Sequence, residues 1–281
     1  MDKPLVTIGV PVFNEVNFIK LSLESLIAQD YPNIEIIISD NASIDGTSEI
    51  CAKFAKEYAH VQHIKQTENI GAAANFRTIQ ENTDGKYFIW AAGHDLWSKN
   101  LISSCVNALE SAPDAVIAYA AVSWVDEMGE EISAKQTGYT DTRGLHVIGR
   151  FYSVIWGNMH PILGLIRNEV LSSSKGFQSI LGADLVVLAE LSLKGDFIHV
   201  ANTTWFRRDF REKESYKERI ERYKSNDYKL LDSKSSKTIP ILALPWELVK
   251  TVFTSKLPFY QKVLSILVLL PTMFLKFIVS R

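Results

Sequence analysis

The sequence predicts an α/β protein built on a doubly wound, mostly parallel sheet, with a helical extension at its C-terminal end. Strand-like and helix-like segments alternate four times before about residue 100. Such alternation buries parallel strands between helices joined by right-handed crossovers. The extension is read from Leu257 to Val279, where nearly every residue is apolar, after a charge-dense stretch from Arg207 to Lys237.

Leu5 to Val12 is a β-rich apolar run, and Asn17 to Gln29 shows helical spacing through Phe18, Leu21, Leu23, Leu26 and Ile27. Asp30-Tyr31-Pro32-Asn33 breaks that helix. A second strand, Ile34 to Ser39, ends at Asp40, and the turn Asn41 to Gly46 opens a helix from Thr47 to about Ala59. His60 to Gln66 is a weaker strand, Asn69-Ile-Gly71 starts a third helix, and the strand Lys86 to Ala92 runs into Gly93-His94-Asp95-Leu96-Trp97. Beyond Asn100 come a helix to about Ser111, a strand from Ala115 to Val125, and a turn at Asp126 to Gly129. Glu130 to Leu145 is polar and rich in Gly and Thr, and reads either as a loop over the site or as a surface excursion. An aromatic stretch at Phe151 to Trp156, a strand at Ile162 to Ile166, a helix after Asp184 and a strand at Phe197 to Val200 follow. Charges of both signs then mark a boundary near Arg208. This gives a domain of residues 1–208, with halves 1–100 and 101–208, and a linker with C-terminal helices over 209–281.

The 281 residues carry a formal net charge of −2, against a nucleic-acid binder with its basic surplus. Cys51 and Cys105 lack metal-ligand spacing and read as thiols of a reducing compartment. Met1-Asp2-Lys3-Pro4 has none of the features of a secretory signal. Near the other end, Tyr260-Gln261-Lys262, Pro271 and Lys276 interrupt the apolar stretch, leaving Val263 to Leu275 as its longest uncharged run. A bilayer span needs about 20 apolar residues, so an interfacial helix or a broken hairpin dipping into one leaflet is expected, with a buried core helix as the alternative. Lysines and Arg281 flank it as snorkelling anchors would.

Open α/β sheets bind ligands outside the carboxyl ends of their strands, which puts His94 and Asp95 in a functional position. The first strand-to-helix turn, Pro11-Val-Phe-Asn14-Glu15, has no glycine-rich phosphate fingerprint, and no Gly-Lys-Ser/Thr loop occurs. A dinucleotide oxidoreductase and a P-loop nucleotidase are thereby disfavoured. A nucleotide here would be held by base and ribose, with Phe13 offering a stacking face and Asp40 an acceptor for a base N–H. Alternatively, Asp40 caps its own turn.

Val6-Thr-Ile-Gly-Val-Pro-Val-Phe-Asn-Glu15, Tyr31-Pro32, Ile36-Ile-Ile-Ser-Asp40-Asn-Ala-Ser43, Asp45-Gly-Thr47, Glu68-Asn-Ile-Gly71 and Asp84-Gly-Lys-Tyr87 occur in that order. Together they resemble the signature of family 2 glycosyltransferases with a GT-A fold, over roughly residues 5 to 100. The resemblance implies an inverting enzyme that moves a sugar from a nucleoside diphosphate, UDP foremost, to an acceptor hydroxyl. It implies a nucleotide pocket of Pro11, Phe13, Asn14, Glu15 and Asp40, with Asn69, Gly71, Gly93 and His94 beside it. The family's Asp-x-Asp motif is altered here to Ala92-Gly93-His94-Asp95. A divalent Mg²⁺ or Mn²⁺ would fall to Asp95 first and His94 second, imidazole shifting preference toward Mn²⁺. Alternatively, His94 only hydrogen-bonds ribose or phosphate.

Asp184, in Gly182-Ala-Asp184, resembles the family's catalytic base, and a helix N-cap is its competing role. Arg207 and Arg208 are candidates for the diphosphate, against a solvated pair. His160-Pro161, Arg167 and Trp156 fall in the acceptor half. The resemblance implies a lipid-linked or carbohydrate acceptor in bacterial surface polysaccharide or glycolipid assembly. The protein would be cytoplasmic, attached peripherally to the inner face of the membrane. A nucleotidyltransferase and an inactive nucleotide- or glycan-binding module are the competing readings.

Overall fold

Strand β1 (Val6–Val12) is buried along nearly its whole length, as expected of a strand covered on both faces. The computed structural model, which describes residues 3–132, 139–209, 218, 221 and 240–279, sets it at the centre of the strands that precede residue 100. Parallel β2 (Ile34–Asp40) pairs with it from Val6 opposite Ile34 to Val12 opposite Asp40, and β3 (Val61–Lys65) extends that side. Parallel β4 (Tyr87–Trp90) takes the other side, Val6 opposite Tyr87. Helices α1 (Ile19–Ile27), α2 (Thr47–Glu57) and α3 (Ala72–Glu81) make the crossovers. Strands β1, β2 and β4 therefore deliver their carboxyl ends to one edge.

The second half continues the sheet with β5 (Leu96–Trp97), β6 (Ala115–Val125), β7 (Leu165–Arg167) and β8 (Asp196–Arg208). Among the described residues the order is β3-β2-β1-β4-β7-β6-β8-β5, with β7 antiparallel to both neighbours and β5 antiparallel at the edge. This is the mostly parallel α/β sheet that the alternation of strands and helices predicts.

Two apolar layers cover the sheet. Alternation along β4 sends Tyr87 and Ile89 into the layer with Leu23, Cys51 and α4 (Leu101–Glu110), and Phe88 and Trp90 into the layer with Ile79 and Leu188. At Gly9 a Cβ would stand 2.5 Å from Ile79 Cγ2, so the glycine lets α3 lie close on β1. Both cysteines are free and buried, and burial pushes their thiols up to about 12.

Helices α5 (Val147–Trp156), α6 (Asn168–Ser172) and α7 (Ala183–Ser192) complete the second half. Helices α8 (Pro240–Thr254) and α9 (Phe259–Val279) dock on it through Leu248, Val252 and Leu269, packed with Phe151, Ile155, Leu185 and Val186. Their other face carries exposed Trp246, Phe253, Phe259, Tyr260, Leu264 and Leu267. One face of this segment is thus packed as the core-helix alternative expects, and the other is exposed. No described helix is long and apolar enough to cross a membrane.

Two expected strands change, and two segments left open take a definite form. The strand expected at Ile162 to Ile166 is a 3-10 turn over His160–Leu163 followed by β7, because Pro161 sits at the start of the turn. Gly164 then passes so close to Tyr119 and Ala118 that a Cβ would clash. The strand expected to stop at Val200 runs on to Arg208. A break in register, with Ala120 opposite Val200 but Ala121 opposite Thr204, absorbs the intervening residues. The aromatic stretch at 151–156 is part of helix α5. The segment read as a loop over the site packs, where described, across β6 and β8: Tyr139 stacks on His199 at 3.8 Å and Thr140 N–H donates to Tyr119 Oη. Residues 133–138 of that loop, most of the charged stretch 207–237 and Arg281 lie outside the described residues.

Arg167, an acceptor-site candidate, does structural work at the opposite end of the sheet. Its guanidinium donates to the carbonyls of Leu109, Ala112 and Ala115, closing the C-terminal end of α4 against β6, and to Tyr87 Oη. Arg167→Met is expected to cost roughly 2–4 kcal/mol in denaturant unfolding by stranding these acceptors, with nucleotide affinity unchanged. Unchanged stability with altered acceptor turnover would contradict this assignment.

Candidate active site

The turns after β1 and β2 are stitched together. Asn14, Glu15 and Val16 donate their backbone N–H groups to Ser43 Oγ, Thr47 Oγ1 and Asp45 Oδ2 at 2.9, 2.7 and 3.1 Å. Asn14 Oδ1 accepts from Ile44 N in return, and Asn41 N donates to the carbonyl of Val12. The crossing needs left-handed backbone at Asn14 (φ 54°) and Ala42 (φ 61°), which asparagine tolerates better than most residues. Helix α3 is fixed to the same edge by Asn75, which accepts from Ser39 Oγ and donates to the Ser39 carbonyl.

These elements enclose a chamber of about 350 Å³ lined by Pro11, Phe13, Asn14, Glu15, Asn41, Asn75, Phe76, Trp90, Gly93, His94 and Leu163, among others. A second chamber, about 400 Å³, meets the first at Ala72, Phe76, Ala92, His94 and Leu163. Its wall adds Asp95, His160, Phe177, Asp184, Trp205 and Arg207. Of the expected nucleotide residues, the first chamber brings together Pro11, Phe13, Asn14, Glu15, Gly93 and His94.

Asp40, Asn69 and Gly71 line neither chamber. Asp40 is fully buried, with Oδ1 accepting from Ser43 N and His63 Nε2 3.9 Å from Oδ2. Burial alone would raise this carboxyl, but His63, Ser43 and Ser48 around it outweigh that and hold it at about 2. Oδ1 thus has the turn-capping role. Asn69 Oδ1 accepts from Gly71 N and Asn41 Nδ2, so Asn69 shapes the loop that positions Asn41. Asn41 is the lining residue missed in that turn, and its position directly after Asp40 was the available signal. Asn75 and Phe76 were missed because their place one turn into α3 shows only in three dimensions.

His94 joins the two chambers. Its Nδ1 lies 2.9 Å from Glu15 Oε1, and its Nε2 is 3.9 Å from Asp95 Oδ1. Asp95 is 1% exposed and accepts from Trp205 Nε1 at 2.7 Å and from Arg208 N at 2.9 Å. Burial pushes its carboxyl up, against the opposing pull of His94, these N–H groups and Arg207. Each Asp95 oxygen keeps a second lone pair. Asp95 and His94 therefore fit as two ligands of one divalent ion, the rest of whose shell a diphosphate and water would supply. Among the described residues no group of three or more His, Cys, Asp or Glu could hold a metal.

The arginine pair divides. Arg207 lines the second chamber, its guanidinium 4.6 Å from the Trp124 ring and 5.6 Å from that of Trp205. Arg208 lines neither chamber. Buried over Phe18, it donates to the carbonyls of His94, Asp126 and Glu127, which corrects both its expected diphosphate contact and its solvated alternative. Asp184 sits in the first turn of α7 on the chamber wall. The N-cap position itself is Gly182 at φ 83°, and Asp184 Oδ1 accepts from Leu185 N at 3.0 Å within the first turn. His160 lines the same chamber, whereas Trp156 lines neither.

Residues 7–163, more than half of the chain, match the profile described as Glycosyl transferase family 2. The chain belongs to this family. An uncharacterized glycosyltransferase of Rickettsia typhi is 31% identical over 130 residues, 46% of this chain and 40% of that protein. A Bacillus subtilis glycosyltransferase assigned to teichuronic acid biosynthesis, TuaG, is 34% identical over 100 residues, 35% of this chain and 39% of that protein. The chain thus spans about two fifths of these relatives. Residues 1–349 of Staphylococcus aureus TarS, solved with UDP-GlcNAc, superpose with TM-score 0.70 at 13% identity, covering 96% of this chain and 72% of that one. The Pyrobaculum calidifontis mannosyltransferase PcManGT, solved with GDP-Man and Mn²⁺, gives TM-score 0.57 at 18% identity, covering 98% and 87%. At these identities the likeness establishes the fold.

Proposed function

We propose that this family 2 glycosyltransferase transfers a sugar from a nucleoside diphosphate, UDP foremost, to an acceptor hydroxyl with inversion at the anomeric carbon. The observation that carries the reading is the meeting of the two chambers at His94. One is walled by Phe13, Phe76 and polar turn residues. The other carries a carboxylate, Asp184, and a cation, Arg207. The nucleotide-sugar complexes of TarS and PcManGT support a donor of this class.

In this reading the nucleoside occupies the first chamber, the diphosphate lies at His94 and the sugar enters the second. The acceptor oxygen attacks the anomeric carbon from the face opposite the diphosphate. As the new C–O bond forms, the bond to the phosphate oxygen breaks and Asp184 takes the hydroxyl proton. Arg207 meets the charge gathering on the leaving diphosphate, its guanidinium oriented by Trp124 and Trp205. A divalent cation, Mn²⁺ or Mg²⁺, held by His94 and Asp95, would act when bound as a Lewis acid toward that diphosphate.

The acceptor is proposed to be lipid-linked and the setting surface polysaccharide or glycolipid assembly at the inner face of the cell membrane, which the TuaG relative supports. On α8, Trp246, Lys250 and Phe253 follow helical spacing on the face opposite Leu248 and Val252. Lys250 Nζ lies 5.5 Å from the Trp246 ring, and Lys262 Nζ lies 5.9 Å from the Phe253 ring. Apolar rings with ammonium groups at their margin suit helices lying in a lipid interface.

Asp184→Asn is expected to lower transfer by about 10²-fold or more, as loss of a general base does, while nucleotide binding persists. Wild type and variant that bind nucleotide but are equally inert would instead identify an inactive binding module. For the membrane surface, replacing Trp246, Phe253 and Leu267 together by Gln is expected to release the protein from phosphatidylglycerol vesicles in a sedimentation assay. Unchanged partition would contradict the interfacial role. Point substitutions suit this test because deleting α9 would uncover the core around Leu269.

A further inference from the structure

His160 is a polar side chain held in apolar company. It is 4% exposed, and its neighbours along the chamber wall are Met159, Ile162, Leu163 and Phe177. Its place is fixed from several directions. The backbone N–H donates to Asn158 Oδ1 at 3.0 Å, Pro161 follows it into the 3-10 turn, and the ring stands edge-on to Trp205 at 5.5 Å and 88°. Trp205 is itself held by Asp95 through its indole N–H. A buried polar side chain ordinarily finds a hydrogen-bond partner, yet His160 Nδ1 has none among the described residues.

Burial, with Arg207 adding to it, holds this imidazole down at about 4, so near neutrality it is uncharged, with one nitrogen a donor and the other an acceptor. The charged groups of the chamber are already engaged in the proposed reaction: Arg207 and His94 with the diphosphate, Asp184 with the acceptor proton. Asp95 accepts from Trp205 and Arg208 and, in the proposed reaction, turns its remaining lone pairs to the cation. The transferred sugar must lie between these groups, and its hydroxyls need partners that both give and accept protons. A neutral imidazole locked against Trp205 supplies one such partner.

We propose that His160 positions the transferred sugar by hydrogen-bonding one of its ring hydroxyls, making it a specificity residue of the donor site. The inference rests on the nucleotide-sugar reading above. It is tested on the full chain by titrating wild type, His160→Asn and His160→Leu with UDP-N-acetylglucosamine and UDP, and with GDP-mannose and GDP. A site built to bond a hydroxyl discriminates strongly when that bond is removed. The Leu variant should bind the intact nucleotide sugar ~10-fold or more weakly, while nucleoside diphosphate affinity stays within ~2-fold of wild type. The Asn variant should recover part of the loss, and in turnover the donor KM should rise more than kcat falls. Equal losses for nucleotide sugar and nucleoside diphosphate, or no loss, would overturn the inference and leave His160 a wall residue. A wild type that binds none of the four ligands would overturn the donor reading itself, and this inference with it.

Discussion

The site depends on the hydrogen-bonded seam between the turns that follow β1 and β2. These strands end in register, Val12 opposite Asp40, so their chains leave the sheet side by side. The backbone N–H groups of Asn14, Glu15 and Val16 then find their acceptors in the neighbouring turn, on Ser43, Thr47 and Asp45. Asp45 is held below the usual carboxylate range: burial works against this, but hydrogen bonds from Thr47 and Val16 prevail. The seam sets Phe13 on the chamber wall and aims Glu15 at His94. Without it, parallel strands would still pair, but the first chamber would have no fixed floor.

A second constraint ties the two halves together at Asp95. Burying a carboxylate is costly unless hydrogen bonds satisfy it, and here the indole of Trp205 and the backbone N–H of Arg208 do so. Both donors belong to β8, so one acidic side chain after β4 registers the strands before residue 100 against the part of the chain that carries His160 and Asp184. Arg208 reinforces the link by donating to the His94 carbonyl. The apolar pair Trp97 and Trp205, stacked at 5.9 Å, closes the same junction. The altered Asp-x-Asp motif thus keeps a buried carboxylate at Asp95 and sets His94 on the wall shared by the two chambers.

Much of this was legible in the sequence where local pattern and tertiary role coincide. Continuous apolar runs announced β1, β2 and β4, and turn residues after each strand announced the edge where the site lies. Legibility failed where a long-range partner decides the outcome. Arg167 and Arg208 look alike on paper as candidate cations, but carbonyls from distant segments claim both guanidiniums. Asp40 ends its strand as expected, but its burial and its bond to Ser43 depend on the turn that follows and on His63 of β3. Asn75 and Phe76 carried no signal at all, because their role comes from the crossing of α3 over the end of β2. In the C-terminal helices, composition suggested a choice between core and membrane surface, whereas the fold packs one face through Leu248, Val252 and Leu269 and leaves Trp246, Phe253 and Leu267 exposed on the other.

The central claim is that one nucleoside diphosphate spans both chambers across His94. A crystal structure of the full chain with bound UDP tests it most directly. The account predicts the base and ribose between Phe13 and Phe76 in the first chamber, with the diphosphate at His94 and Arg207. A nucleotide bound elsewhere, or with its diphosphate directed away from His94, would contradict it.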